Sequence, residues 1–170
     1  MAEPLPQGET PTFIDAARFT PANRRRVSGP GLRSFLNIAR EWSLTEGERL
    51  AVLGFPGRST YHAWVQRARG GEALTLPVDT LLRLSALLGI YKALKILFLS
   101  EGEAQRWLNS PNAGPLFGGQ RPRDLLTCGT QDGLLQLRRF LDAWRGGIFA
   151  PPTGADSELR PLTADDLRIV

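Results

Sequence analysis

The sequence of 170 residues contains a single cysteine, Cys128, and a single histidine, His62. One cysteine excludes an internal disulfide bond, and two soft side chains are too few for a structural zinc site. Lysine is also scarce, because Lys92 and Lys95 are the only lysines among 21 basic residues. Arginine therefore carries almost all of the positive charge, and we expect no bound metal.

Long uncharged apolar runs are absent as well. Residues 1–19 contain acidic residues and prolines and no apolar run, so they do not have the pattern of a signal peptide. The richest apolar stretch, residues 74–99, is interrupted by charged side chains that would be costly in a lipid bilayer. We expect a cytoplasmic protein without a membrane partner, and the hydrophobic share of 42% is sufficient for a buried core.

The sequence contains no recognisable set of catalytic residues. His62 has no acidic or cysteine partner nearby in sequence, and Cys128 lies in a Thr-Cys-Gly-Thr turn. The glycine pairs at 118–119 and 146–147 lack the flanking strand and lysine of a phosphate-binding loop. We expect a protein that is not an enzyme and needs no cofactor, and the length excludes a large catalytic barrel.

The positive charge is concentrated in one segment. Residues 21–71 contain nine arginines against three glutamates, a net charge of +6, whereas residues 1–20 carry −2 and residues 72–170 are neutral. A polyanion such as DNA gains affinity from such a segment, because each neutralised phosphate releases condensed counterions. A solvated arginine-rich surface is the alternative, so charge by itself leaves DNA binding open.

Apolar periodicity predicts an all-α protein with four segments. These are a flexible arm at 1–30 with a short helix at 12–18, a helix-turn-helix domain at 31–76, a second helical domain at 77–149 and an extended tail at 150–170. The predicted helices cover 32–42, 45–53, 58–69, 77–88, 91–98, 101–108 and 131–144, with a loop at 111–119. Gly89 is expected to separate the fourth helix from the fifth.

Two short helices inside the basic segment are separated by a tight turn at 54–57. Thr45 and Glu48 form a capping box at the start of the first helix, and Gly54 allows a left-handed exit from it. In the second helix the bulky side chains share one face, which we expect to pack on Leu50 and Leu53. The members of that face are Tyr61, Trp64, Val65 and Ala68.

This arrangement is typical of a helix-turn-helix, whose second helix enters the major groove of DNA. The outer face of that helix carries side chains that read base edges or contact phosphates. The predicted DNA-binding residues are Arg58, Ser59, Thr60, His62, Gln66 and Arg67. Arg67 and Arg69 are assigned to phosphates, which position a protein without reading sequence. An ordinary helical hairpin with a hydrophilic outer face is the alternative interpretation.

Several blocks of the sequence resemble the Xre/MbcA/ParS antitoxins. They are RSTYHAW at 58–64, LRLSALLGIYKAL at 82–94, WLNSPN at 107–112, PLFGG at 115–119 and LRRFLDAWRGG at 137–147. The resemblance covers roughly residues 32–150, and several blocks in the same order are more specific than any single block.

The resemblance implies an Xre/Cro-like helix-turn-helix bundle followed by a small helical toxin-binding domain. It also implies the antitoxin of a type II toxin-antitoxin pair, whose toxin carries a RES domain and destroys NAD. In that family the helix-turn-helix binds the promoter of its own operon, and the carboxy-terminal part blocks the entrance of the toxin's active site. The positions that the resemblance assigns to toxin binding are Arg138, Asp142, Trp144, Arg145, Gly146 and Gly147.

Alternatives remain open for the second domain and for the whole chain. Trp107, Phe117, Phe140 and Trp144 form either its core or a partner surface. The acidic tail at 150–170 is hypothesised to lie across the toxin. A homodimer is expected, because such modules bind half-sites about 34 Å apart. The competing functions are a stand-alone transcription regulator whose residues 77–150 only dimerise, and a sequestering protein without DNA recognition.

Overall fold

A computed structural model describes residues 19–147, and this part of the chain is entirely helical, without a strand. Its seven helices are α1 (Pro21–Glu41), α2 (Glu46–Val52), α3 (Arg58–Gly70), α4 (Val78–Leu97), α5 (Glu101–Asn109), α6 (Pro122–Thr127) and α7 (Gln131–Arg145). The predicted all-α class is confirmed. Within the same residues no helix combines the length and the apolar character needed to cross a bilayer. The predicted helix at 12–18 and the predicted tail lie outside the described residues.

The capping box predicted at the start of α2 is present. The Thr45 hydroxyl accepts a hydrogen bond from the Glu48 amide at 3.3 Å, and the Glu48 carboxylate accepts one from the Thr45 amide at 2.8 Å. A second capping box joins Ser100 to Glu103 at the start of α5. Gly54 ends the α2 segment with φ of 85°, as its position after the apolar run predicts.

The first helix corrects the predicted boundary of the arm, because residues 21–30 are helical and do not belong to a flexible segment. Two side chains from residues 21–30 form hydrogen bonds with the backbone of Leu76. The Arg24 guanidinium donates to the Leu76 carbonyl at 3.1 and 2.8 Å, and the buried Ser28 hydroxyl accepts from the Leu76 amide at 2.9 Å. The helix continues through Pro30 with one main-chain hydrogen bond fewer.

The predicted break at Gly89 is also wrong, because α4 runs without interruption from Val78 to Leu97. Gly89 is instead the place where the Arg138 side chain of α7 crosses α4. A Cβ atom at Gly89 would lie 1.4 Å from Nη1 of Arg138. The glycine therefore makes room for a neighbouring helix and does not end its own.

Sequence periodicity missed α6, a single short helix between the 111–119 loop and α7. Pro122 occupies its first turn, where the missing amide costs nothing, and both Pro122 and Leu126 are buried. A helix this short contains too few residues for a periodic apolar pattern, so it is recognisable only from its packing against α2, α5 and α7.

One hydrophobic cluster extends through the described part of the chain. Leu32 and Phe35 of α1, Leu87 of α4, and Leu137 and Leu141 of α7 are fully buried in it. α4 packs against both α1 and α7, so the core crosses the boundary predicted at 76/77. The helix-turn-helix is consequently built on the same core as the helices that follow it.

Candidate functional site

The outer face of α3 presents all six predicted DNA-binding residues to solvent. The inner face buries Tyr61, Val65 and Ala68, and Trp64 is half-buried against the same core. The exposed residues are Arg58, Ser59, Thr60, His62, Gln66 and Arg67. α3 therefore carries a continuous polar surface suited to the major groove.

Glu46, at the start of α2, lies beside two of these residues. Its carboxylate oxygens are 3.6 Å from Arg58 Nε and 3.6 Å from His62 Nε2. All three side chains are largely exposed, and an exposed ion pair of this kind contributes little free energy. Arg58 can therefore exchange Glu46 for a nucleic-acid acceptor at small cost.

The turn between α2 and α3 is held by the second half of the chain. Phe55 adopts φ of 57° and lies over Gly129, where a Cβ atom would be 2.3 Å from its ring. Arg83 of α4 donates to the Gly129 carbonyl at 2.9 Å and to the Asp79 carboxylate at 2.7 Å. The same guanidinium fills the space next to Gly54. The orientation of α3 thus depends on α4 and on the loop before α7.

A second connection joins α6 to the start of α2. Arg123 donates to both carboxylate oxygens of Glu48, at 2.8 and 2.9 Å, and to the carbonyls of Trp42 and Ser43. The hydrogen bond from Arg123 is the largest cause that lowers the pKa of Glu48 to about 2, from an ordinary value of 4.5. Glu48 therefore both caps α2 and binds α6.

The six residues that the resemblance assigns to toxin binding lie in the second half of α7 and immediately after it. Arg138 Nε donates to Asp142 Oδ2 at 2.6 Å, and Arg145 Nη2 lies 3.4 Å from Asp142 Oδ1. Arg138, Asp142 and Trp144 are half-buried, whereas Arg145, Gly146 and Gly147 are exposed. The structure thus brings the six together at one end of α7, half of them packed against neighbouring helices.

Five aromatic side chains pack together beside this helix end: Phe98, Trp107, Phe117, Phe140 and Trp144. Their ring centroids are 5.0 to 6.3 Å apart in the contacting pairs. Phe117 is buried, so the core interpretation holds for it, and the other rings are half-buried. The five rings therefore pack against one another, and four of them are also partly exposed to solvent.

Two exposed apolar residues escaped the sequence analysis. Leu99 is 99% exposed and Ile96 is 55% exposed, at the end of α4 and in the connection to α5. Ile96 is out of register with the buried face of α4, and this mismatch was the available signal. Two exposed apolar side chains without a contiguous patch do not by themselves indicate a protein-protein contact.

The described residues contain no cluster of histidine, cysteine and acidic side chains that could hold a metal ion. Cys128 is exposed, and its Sγ atom lies 3.1 Å from the Leu125 carbonyl and 3.1 Å from the Thr130 hydroxyl. These neutral contacts do not form the electropositive surroundings that activate a thiol.

Comparison with protein families matches both halves of the chain. Residues 21–89 match the antitoxin Xre-like helix-turn-helix domain, and residues 93–147 match the antitoxin Xre/MbcA/ParS C-terminal toxin-binding domain. The chain belongs to the Xre/MbcA/ParS antitoxins. The first domain contains all six predicted DNA-binding residues, and the second contains all six residues at the end of α7.

The antitoxin is similar to the uncharacterized protein y4oB of Sinorhizobium fredii (strain NBRC 101917 / NGR234). The two are 40% identical over 147 residues, which is 86% of the antitoxin and the full length of y4oB. No solved structure matches the antitoxin at a significant level. Its two domains imply two partners, a toxin and DNA.

Proposed function

We propose that this antitoxin neutralises a RES-domain toxin that degrades NAD and represses the promoter of its own operon. The observation that carries the proposal is the order of the two matched domains, a helix-turn-helix at 21–89 and a toxin-binding domain at 93–147. Both the RES identity of the toxin and autorepression are what the resemblance to the family implies.

The DNA-binding half of the proposal is supported by the exposed face of α3. Arginine pairs with guanine and glutamine with adenine, so Arg58 and Gln66 are assigned to base edges. Ser59, Thr60 and His62 lie near the amino end of the helix, which approaches the groove most closely. Arg67 is assigned to a phosphate.

The toxin-binding half is supported by the end of α7. We assign Arg145, Gly146 and Gly147 to direct contact, because they are exposed at the last residue of α7 and immediately after it. Arg138 and Asp142 bond to each other, and Trp144 packs in the aromatic cluster beside them. A rigid protrusion that covers an active-site entrance inhibits sterically, and this mechanism requires neither catalytic residues nor a cofactor in the antitoxin.

Co-expression tests the proposal directly. A RES-domain protein encoded next to this antitoxin should arrest growth and deplete NAD when expressed alone, and the antitoxin should reverse both effects and co-purify with it. Purified antitoxin should shift a duplex carrying its own promoter. If the neighbouring protein is harmless and does not co-purify, the chain is a stand-alone transcription regulator. If the two proteins form a complex that does not bind the promoter, the chain is a sequestering protein.

A further inference from the structure

A second basic surface lies at the carboxy-terminal end of α3 and contains none of the six predicted DNA-binding residues. Side chains from α1, α2 and α3 line a cavity of about 350 Å³. The lining residues are Arg33, Leu36, Asn37, Arg40, Arg49 and Arg69, and we call this cavity the arginine pocket. It contains four guanidinium groups and no carboxylate.

The hydrogen bonds of the pocket leave its charge uncompensated. Arg33 donates to the Ala68 carbonyl at 3.0 Å, Arg49 to the Leu44 carbonyl at 2.8 Å, and Arg40 to the Asn37 amide oxygen at 3.3 Å. All of these acceptors are neutral. Within residues 19–147 none of the four arginines forms an ion pair.

Several arginines elsewhere in the described residues form ion pairs, although others, such as Arg106 of α5, also form none. Arg83, Arg123 and Arg138 each bind a carboxylate at 2.6 to 2.8 Å. Four like charges that converge on a concavity without a counter-ion repel one another and raise the local concentration of anions. Each guanidinium has five donor hydrogens, so most donors in the pocket remain available to a ligand with several acceptor oxygens, such as a phosphate.

The position of the pocket identifies the source of that phosphate. Arg69 follows Arg58 by eleven residues of α3, close to three full turns, so both side chains lie on the same side of the helix. The pocket therefore continues the edge of α3 along which DNA is proposed to lie. A duplex in contact with that face brings its sugar-phosphate backbone to the flanks of the helix.

We infer that the arginine pocket binds a backbone phosphate of the operator, so that α1 forms part of the DNA interface. Arg40 and Asn37, near the end of α1, lie outside the helix-turn-helix proper and extend the contact beyond it. The inference rests on the proposed DNA binding by α3. A phosphate contact of this kind adds affinity and fixes the register of the protein without reading bases.

Fluorescence anisotropy with an operator duplex and a scrambled duplex tests the pocket. Arg40→Gln is the main variant, because Arg40 is exposed and its side chain bonds only to Asn37 among the contacts of the described residues. Arg106→Gln is the matched control, since Arg106 is an exposed arginine of α5 and the change in charge is the same. Thermal unfolding of both variants verifies that the fold is retained.

Arg40→Gln should weaken binding to both duplexes by the same factor, about tenfold near 0.1 M salt for one lost phosphate. The slope of log affinity against log salt should become shallower by about 0.9. Arg33→Gln should act in the same direction, and Arg106→Gln should change neither quantity.

Different results distinguish a failure of the pocket assignment from a failure of the proposed DNA binding by α3. Wild-type protein that binds neither duplex would overturn the proposed DNA binding. Wild-type protein that binds the operator, with Arg40→Gln indistinguishable from Arg106→Gln, would overturn the assignment of the pocket alone. Calorimetric titration with inorganic phosphate adds one more arm: Arg40-dependent phosphate binding with unchanged DNA affinity would assign the pocket to a free anion and overturn the backbone contact.

Discussion

Three helical glycines of this antitoxin have different surroundings. A Cβ atom at Gly47 would have no neighbour within 4 Å, whereas one at Gly133 would lie 2.4 Å from the Cys128 sulfur and 2.7 Å from the Leu125 carbonyl oxygen. At Gly89 the obstacle is the flexible end of Arg138. The same residue type is therefore replaceable in α2 and required in α7.

Alanine substitutions at Gly47 and Gly133 should have opposite effects. Gly47→Ala should raise the free energy of unfolding by about 0.5–1 kcal/mol, because alanine loses less backbone entropy in a helix. Gly133→Ala should lower it by about 1–3 kcal/mol, since the methyl group meets backbone that cannot move away. Urea denaturation measures both, and equal stabilities of the two variants would contradict the packing at Gly133.

Arg58→Ala should reduce affinity for the operator by about 1–3 kcal/mol and lower discrimination against a scrambled duplex, because a guanidinium bound to guanine reads sequence. Arg67→Ala is the comparison, since loss of a phosphate contact weakens binding to both duplexes equally. Anisotropy titrations on the two duplexes measure the difference. If Arg58→Ala lowers the affinity for both duplexes equally, Arg58 contacts a phosphate and not a base.

At the scale of the elements, the ion pair between Glu48 of α2 and Arg123 of α6 connects two helices that are distant in sequence. Arg123→Gln should lower the free energy of unfolding by about 1.5–3 kcal/mol, the range for hydrogen bonds to charged groups. The pair should also make stability depend on pH. The pKa of Glu48 is about 2 in the folded state and 4.5 ordinarily, so its contribution is complete above pH 4.5 and is lost as the pH falls toward 2.

Chemical denaturation between pH 5 and pH 2 measures this dependence. The variant Glu48→Gln should show a smaller loss of stability across that interval, because it has no carboxylate to protonate. An unchanged pH profile would show that other acidic groups dominate.

Prediction of the elements succeeded where the signals were local. The limits of α2 and α3 follow from the Thr45 capping box, Gly54 and the amphipathic pattern of 58–69, which need no knowledge of the rest of the fold. The start of α1 has a local signal, Thr20 followed by Pro21, but the segment before residue 31 has little apolar periodicity, and the helix was therefore missed there. α6 had too few residues for such a signal.

At the scale of the whole molecule, the two family domains share one core. The family boundary near residue 90 falls inside α4, which packs against α1 on one side and α7 on the other. Arg83 and Arg123 add polar connections from the second half to the turn and to the start of α2. The proposed toxin contact at α7 and the proposed DNA contact at α3 therefore lie on one continuous packed structure.

We expect the antitoxin to act on DNA as a homodimer, because one α3 reads one half-site and operators of this class present two. Light scattering of the free protein and of its operator complex measures the mass of each species. A monomer in both samples would contradict the prediction.

Local chemistry was enough to establish the helical class, the helix-turn-helix and the exposed polar face of α3, because caps, turns and amphipathic spacing act between residues close in the chain. The antitoxin family came from the resemblance of several sequence blocks in the same order. Contacts between distant segments settled the rest. Arg24 bonds α1 to the backbone of Leu76, Arg138 crosses α4 at Gly89, and three helices assemble the arginine pocket. No local pattern encodes these features, since each depends on side chains that meet only after the helices have packed.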